Sequence, residues 1–543
     1  MKKGYHLILN DSPFSKMHIE LIMRFVYSLF VFFVFFFSIN QSVSAVEKLY
    51  IDPTVSFQTM EGFGASDCWT VNYVGKYWPL AEKEKAAKWL FSSKVDKSGN
   101  PEGIGLSIWR VNLGAGTLEQ GSKSTIKDIT RRAESFLDEN GNYDWTKQAG
   151  QQWFIKKSKQ YGCNSYVLFS NSPPVNFTRN GLGYAPNDGI SNLKAENYDK
   201  FANYLVDVTD YLAKKHQIKI DFISPVNEPQ WSWNGDYQEG SPWQNAEIKK
   251  IIVALDKSIQ NKQLNSKILF SEAAKWDFLY TKKERASDQV YQFFDKKSEN
   301  YIGNLKSVEP ILGVHSYWTD RSNDTLVEVR TKARELAQEY KLKLHQTEWS
   351  LLSVPPLSDF PTSYENATYT DIALFMAKII YADLEYAQVS SWSYWTSMDV
   401  EMWGFKNRFN LIRLHTKGDS TGTIAAGGTV SAMKNLWVLG NYSFFVKPGY
   451  KRISISDAKN LSGLMGLSFI SPDKNQIVTV LTNNAKISNN VALSLPNVFS
   501  KRLKSVKTYL TNNSSNLKCS IVSANSNIHL PAQSVTTVVY DFK

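Results

Sequence analysis

The stretch "SPVNEPQWSWNGDYQEG", Ser224–Gly240, decides how this chain is read. It follows "IKIDFI", Ile218–Ile223, whose alternation of apolar and polar residues has the period of a strand. The chain then sets Asn227 and Glu228 against Pro229 and spends two indoles, Trp231 and Trp233, on the segment beyond. An acid and an amide this close to a strand end belong where strand ends build a site, as at the mouth of an α/β barrel.

Working outward, short β-branched or apolar runs alternate with long amphipathic ones from about residue 58 to 434. Strands are expected near 60–64, 106–112, 165–170, 222–226, 268–271, 311–315, 342–348 and 389–395. Between them, "ENYDKFANYLVDVTDYLAKKHQ" repeats Phe201, Tyr204, Leu205, Val208 and Leu212 at helical spacing, and "TDIALFMAKIIYADLEYA" behaves likewise. Eight strand–helix units of this kind predict an α/β fold, a (β/α)8 TIM barrel with loops longer than the roughly 250-residue norm requires. Beyond residue 435, "QIVTVLTNN", "NVALSLP", "VKTYLTNN" and "SVTTVVYDF" are short alternating strands split by Asn, Ser and Pro. They predict a side-associated antiparallel β-sandwich over 435–543, with the strand-like segment 46–57 pairing onto it.

The first 45 residues read differently. A basic start at Arg24, a Phe-rich run from Phe25 to Ile39 and the ending Val43-Ser44-Ala45 form the three-part pattern of a secretory signal peptide cleaved after Ala45, with Met17 and Met23 as alternative starts. The apolar run of 15 residues is short of the roughly 20 that a spanning helix needs. Residues 1–45 hold four basic and two acidic side chains, so the remainder of the +11 chain carries a net charge of +9. Its lysines are scattered over helix faces, a solvated surface and not a nucleic-acid groove. Cys68, Cys163 and Cys519 are far apart and odd in number, and provide neither a disulfide framework nor a metal-ligand spacing.

In a barrel of this kind the informative residues lie just past each apolar run. In chain order they are Asp67 and Trp69; Arg110 and Asn112; Asn171 and Asn176; Asn227 and Glu228; Glu272; His315, Tyr317 and Trp318; Glu348 and Trp349; Trp392 and Trp395. Glu228 and Glu348 end strands four and seven, across the mouth from each other. Two carboxylates over a cleft with aromatic walls suit glycoside hydrolysis, one protonating the leaving oxygen and the other attacking the anomeric carbon. Glu272 is the competing acid, ranked lower because it lacks aromatic and amide company. Of Trp69, Trp231, Trp233, Trp318, Trp349 and Trp395, about four are expected as walls on which sugar rings stack. If the segment after Glu228 is extended, Trp231 and Trp233 share one side; if it folds back, one of them packs. His315 is expected as a hydrogen-bonding neighbour, since no second His or Cys lies at ligand spacing, and no metal or other cofactor is implied. A glycan-binding protein without chemistry is the alternative class, and it is the presence of both carboxylates that argues against it.

Five motifs carry a resemblance: "EGFGAS" (61–66), "NSPP" (171–174), "NEP" (227–229), "TEWS" (347–350) and "LGNYSFFVKPGYKRI" (439–453). Together they resemble glycoside hydrolase family 30, retaining enzymes of clan A. The resemblance implies Glu228 as acid/base and Glu348 as nucleophile. It also implies that Arg110, Asn227 and Tyr317 hold the carboxylates and the sugar. Trp349 stands where the family often has Tyr. Within the family, "EGFGASDCWTVNYVGKYWP" and "FSNSPPVNFTRNG" look most similar to the endo-β-1,6-galactanase-like branch, with β-1,6-glucan and xylan as the other polysaccharide substrates.

Overall fold

A computed structural model describes residues 46–543, apart from residues 284, 356, 358, 404, 405, 407 and 525. The expected signal peptide lies outside the described residues. The first strand, β1 (Glu47–Thr59), leads into nine parallel segments: β2 (Gly62–Ser66), β3 (Ile108–Asn112), β4 (Ser165–Phe169), β5 (Phe222–Ser224), β6 (Lys267–Ile268), β7 (Ser271–Ala273), β8 (Ile311–His315), β9 (Lys343–Glu348) and β10 (Ser391–Tyr394). They pair in the order β6-β5-β4-β3-β2-β10-β9-β8-β7. The two ends of that order, β6 and β7, are halves of a single strand two residues apart, so the sheet closes into an eight-stranded barrel.

The interruption is the one departure from the expected fifth strand. Ser271 and Glu272 take left-handed backbone conformations, with φ of 76° and 41°. Side chains larger than glycine adopt that region at a cost, and such residues concentrate at functional sites.

Alternation along the strands sorts the barrel into layers. Ile108, Val167, Leu269 and Ile311 form an apolar plug inside it, with Phe222 packed against them. Their neighbours Trp109, Leu168 and Leu312 belong to the larger core that includes the surrounding helices. Two residues further along from the plug, the same inward positions carry Arg110 on β3 and Gly313 on β8, and the next carries His315. The interior thus grades from apolar at one end to ionic at the mouth.

After a small three-stranded sheet, β11 (Met398–Val400), β12 (Ile412–Thr416) and β13 (Gly428–Ala432), the chain builds β14 (Lys451–Ile455), β15 (Leu464–Ile470), β16 (Gln476–Asn483), β17 (Asn489–Ser494), β18 (Leu503–Thr511), β19 (Lys518–Val522), β20 (Ile528–Leu530) and β21 (Ser534–Phe542). With β1 they form a nine-stranded sheet in the order β19-β18-β21-β16-β15-β14-β1-β17-β20. Neighbouring strands β14 to β16, β18, β19 and β21 pair antiparallel, and β1 pairs antiparallel with β14. Val491 on β17 and Leu530 on β20 share a core with Ile477 and Val538 from the far side of that order, so the sheet folds over itself as a sandwich. The opposite faces of β16 and β21, carrying Val478, Val480, Val535 and Val539, join the barrel's own core.

Candidate active site

Four side chains, on or just past four different strands, meet at the barrel mouth. Arg110, almost fully buried at the top of β3, donates from Nη1 to Glu348 Oε2 at 2.8 Å and from Nη2 to Asn227 Oδ1 at 3.0 Å. Its guanidinium lies 3.6 Å from the Phe169 ring centroid, a cation–π contact that holds it flat beneath the site. Tyr317 donates its hydroxyl to Glu348 Oε1 at 3.0 Å. Glu348 owes its place to a register shift: Val314 faces Gln346, but His315 faces Glu348, so β9 carries one extra residue there.

His315 bridges the carboxylates. Its Nδ1 lies 2.8 Å from Glu228 Oε1 and its Nε2 3.0 Å from Glu272 Oε2, with Glu348 Oε1 3.6 Å from Nδ1. Burial disfavours the imidazolium, but Glu348, Glu228 and Glu272 outweigh it and push His315 up to about 10. Glu272 is also held by Ser224 and Thr347, whose hydroxyls donate to it at 3.1 and 2.5 Å. Burial would raise its carboxyl, yet Arg110, His315 and Thr347 bring it down to about 2. The space for that carboxylate comes from Gly313, where a Cβ would stand 3.1 Å from Glu272 Cδ. Burial pushes Glu348 up from its ordinary value, against His315 and Arg110. One oxygen each from Glu228 and Glu348 and a nitrogen of His315 lie within 4.8 Å of one another. The three form a compact, hydrogen-bonded and ion-paired group at the floor of the site.

Above it opens a cavity of about 540 Å³ lined by Glu228, Glu348, Asn171, Asn227, Tyr317 and an aromatic set of Trp231, Trp233, Trp318, Trp395 and Tyr237. The segment after Glu228 folds back: Glu228 has φ 41°, the Trp231 amide donates to the Glu228 carbonyl at 3.2 Å, and Trp233 has φ 47°. Both indoles nevertheless face the cavity, because Trp233 Nε1 donates to the Glu228 carbonyl at 2.9 Å and Trp231 packs edge-on against Phe278.

Other expected contacts fall elsewhere. Trp349 is buried among Phe375, Trp392 and Tyr394 and forms no part of the cavity wall; the residue after Glu348 turns into the core between barrel and helices. Asp67 is fully buried, accepting from the Asn112 amide and from Gln151, and therefore ties the ends of β2 and β3 together. Asn112 lies beside it, in reach of Asn171. Trp69 stands behind Trp395, edge to face at 5.2 Å. Asn176 points away and donates to the Asp138 carbonyl. Tyr237, Gln238, Lys275, Arg321 and Leu352 also line the cavity and were not singled out from the sequence. They sit two to fourteen residues past strand ends, in loops whose path no periodicity reports.

The family model described as O-Glycosyl hydrolase family 30 matches residues 46–407. The chain belongs to glycoside hydrolase family 30. This family 30 protein is thus an O-glycosyl hydrolase of a family that works with retention. It is 24% identical to the endo-beta-1,6-galactanase of Hypocrea rufa over 383 residues, covering 67% of this chain and 70% of that one. A conserved exported protein from Bacteroides fragilis has a solved structure with a TM-score of 0.84 and 31% identity, covering 91% of this chain and all of that one. The catalytic domain of the family 30 xylanase C from Talaromyces cellulolyticus shares the fold, with a TM-score of 0.63 at 21% identity, again over 91% of this chain and all of that one.

Proposed function

We propose that this enzyme is a secreted endo-β-1,6-galactanase in which Glu348 is the nucleophile and Glu228 the acid/base. The close approach of the two carboxylates, with one oxygen of each within 4.8 Å of the other, supports a retaining pair. Retaining pairs stand roughly 5–5.5 Å apart, whereas an inverting pair needs about 6.5–9.5 Å to admit a water. Hydrogen bonding distinguishes the two acids. Glu348 takes donors from both Arg110 and Tyr317, which favours its anion. Glu228, as acid/base, is the group that delivers a proton to the leaving oxygen, with Oε1 facing His315.

In the first step Glu348 attacks the anomeric carbon as Glu228 protonates the departing oxygen. In the second, Glu228 takes a proton from water, which displaces Glu348. Asn227, oriented by Arg110, is placed to hydrogen-bond the sugar's 2-hydroxyl, and the tryptophans supply stacking faces.

The substrate reading is supported by the likeness to the Hypocrea rufa galactanase, and β-1,6-glucan and xylan are its competitors. Export is supported by the signal-like residues 23–45 and the likeness to an exported protein. Among the described residues no helix is long and apolar enough to cross a membrane.

Product analysis on β-1,6-galactan, β-1,6-glucan, xylan and arabinogalactan tests the reading. A ladder of β-1,6-galactooligosaccharides, appearing first as the β anomer, is the expected result. Cleavage confined to glucan or xylan would overturn the substrate, and an α product the mechanism. Glu348→Gln and Glu228→Gln should each lower kcat by about a thousandfold or more while leaving the melting temperature within a few degrees.

A further inference from the structure

A buried ion pair lies beside the site without lining it. Arg330, on the helix Asn323–Glu339, donates from Nε to Asp383 Oδ1 at 2.6 Å, and Asp383 belongs to the helix Tyr369–Glu385. Both side chains are fully buried. Two helices can pack on apolar side chains alone, and desolvating two charges offsets much of what their pairing contributes. The reason for the pair lies in what else its two members bind.

Asp383 Oδ2 accepts from the Ser316 hydroxyl at 2.9 Å and from Trp392 Nε1 at 2.8 Å. The same hydroxyl accepts from Trp276 Nε1 at 3.1 Å, so its own proton is committed to Asp383. Arg330 Nη1 is anchored on the Leu326 carbonyl of its own helix at 3.1 Å and reaches Thr319, 3.4 Å from both its carbonyl and its hydroxyl. The pair thus grips both ends of the turn Ser316–Thr319.

The two residues inside that turn, Tyr317 and Trp318, line the cleft. Tyr317 donates to Glu348. Trp318 takes a left-handed backbone conformation, φ 60°, which a bulky residue holds only where its surroundings fix it. The Ser316 amide, in addition, donates to the Glu348 backbone carbonyl at 3.2 Å. We propose that Asp383 and Arg330 are positioning residues for the reaction, which through Ser316 and Thr319 hold Tyr317 against Glu348 and Trp318 in the cleft wall. Slack in the turn would lengthen the bond from Tyr317 to Glu348, and a carboxylate with a weaker donor keeps its proton to higher pH. The inference rests on reading Glu348 as the nucleophile, but not on which glycan is cleaved.

The experiment is a pH–rate profile of Ser316→Ala, which removes the hydroxyl and leaves the ion pair in place. kcat is expected to fall about tenfold with KM within about twofold, as for a small displacement of a catalytic group. The acidic limb of kcat/KM, which reports the ionisation of Glu348 in the free enzyme, should move up by about half a pH unit. A network that served packing alone would do neither. Ile379→Val, a core truncation on the helix that carries Asp383, supplies that comparison: it should lower the melting temperature and leave kcat and the limb in place. Asp383→Asn should show the defects of Ser316→Ala, and the double variant should be no worse than Asp383→Asn alone, because one acts through the other. Unchanged kcat and limb in folded Ser316→Ala, or defects that multiply in the double variant, would overturn the assignment. If Ser316→Ala does not fold, Thr319→Val, of the same shape, frees the other end of the turn and is read in the same way. If the wild type cleaves no glycan, the functional reading fails separately. NMR titration of the Glu348 carboxyl, identified by its loss in Glu348→Gln, then decides the positioning role on the same upward shift.

Discussion

At the residue scale the site is organised by a histidine. Between three carboxylates His315 remains protonated far above its ordinary range, and that cation in turn holds Glu272 ionised. Glu272, the competing acid by sequence, is fully buried beneath the cavity, where its carboxylate reaches Glu228 through the imidazole and its backbone carbonyl accepts from the Glu228 amide at 3.0 Å. Glu272→Gln keeps the shape and removes the charge. With less negative charge around it, His315 loses its proton at lower pH. The alkaline limb of the pH–rate profile should therefore move down, with kcat lower by about 10- to 100-fold and KM little changed. An unmoved limb would mean that Glu272 serves only packing. Strand-end position alone placed Glu228, Glu348, Asn227 and Tyr317 together, because a short parallel strand puts its last residues at the mouth whatever surrounds it. Which of three acids attacks, which donates and which positions depended on distances between strands more than forty residues apart.

At the scale of elements, the loop that closes the opening stretch is pinned by its final acid. Glu239 is fully buried and accepts from the Ala115 amide through both oxygens, at 3.1 and 3.0 Å, and from the Thr117 hydroxyl at 2.5 Å. Gly240 donates to the Gly183 carbonyl, and a Cβ at Gly183 would stand 3.3 Å from Glu239 Cγ. Burial raises the Glu239 carboxyl to about 7 despite these donors. The folded chain therefore holds this proton more tightly than the unfolded one, whose value is near 4.5. The resulting stability is complete below pH 4.5 and is lost as pH rises through 7. For a shift of this size it amounts to an order of 3 kcal/mol. Thermal melts across pH 4 to 8 should show that decline, and Glu239→Gln should flatten it; a steeper slope in the variant would refute the assignment. Glu239→Ala, which leaves the Ala115 amide buried without its acceptor, should cost about 1–3 kcal/mol and raise KM as Trp231 and Trp233 lose their support. Periodicity located the barrel strands to within about two residues, but not the break in the fifth or the extra residue on β9. Both are backbone irregularities, imposed by carboxylates that have to reach the mouth.

At the scale of the whole molecule, barrel and sandwich share one core. Val478, Val480, Val535 and Val539 cluster with the residues of the barrel helices, and Arg452 on β14 pairs with Glu385 on the helix 369–385. Removing Arg452 leaves Glu385 largely buried with only the exposed Lys459 beside it, at 3.1 Å. Arg452→Ala should therefore cost about 3 kcal/mol and lower Tm by several degrees. A single calorimetric transition is expected for residues 46–543, and a chain ending at Met433 should be insoluble or molten because it bares the apolar face that the sandwich covers. Two well-separated transitions would show that the shared core does not couple them.

Local pattern determined what depends on local pattern. The periods of strand and helix, the spacing that makes eight units, and the residues at each strand end are properties of short segments, and they are legible because burial imposes those periods on the chain. The motifs that resemble family 30 belong to the same short range. Tertiary structure alone decided that Trp349 is core while Trp233 faces the cleft, and that the Glu272 carboxylate reaches Glu228 through His315. Those outcomes depend on which loops close over which strands and on the electrostatic balance of charges brought together from distant segments, and neither quantity is carried by any one segment of the sequence.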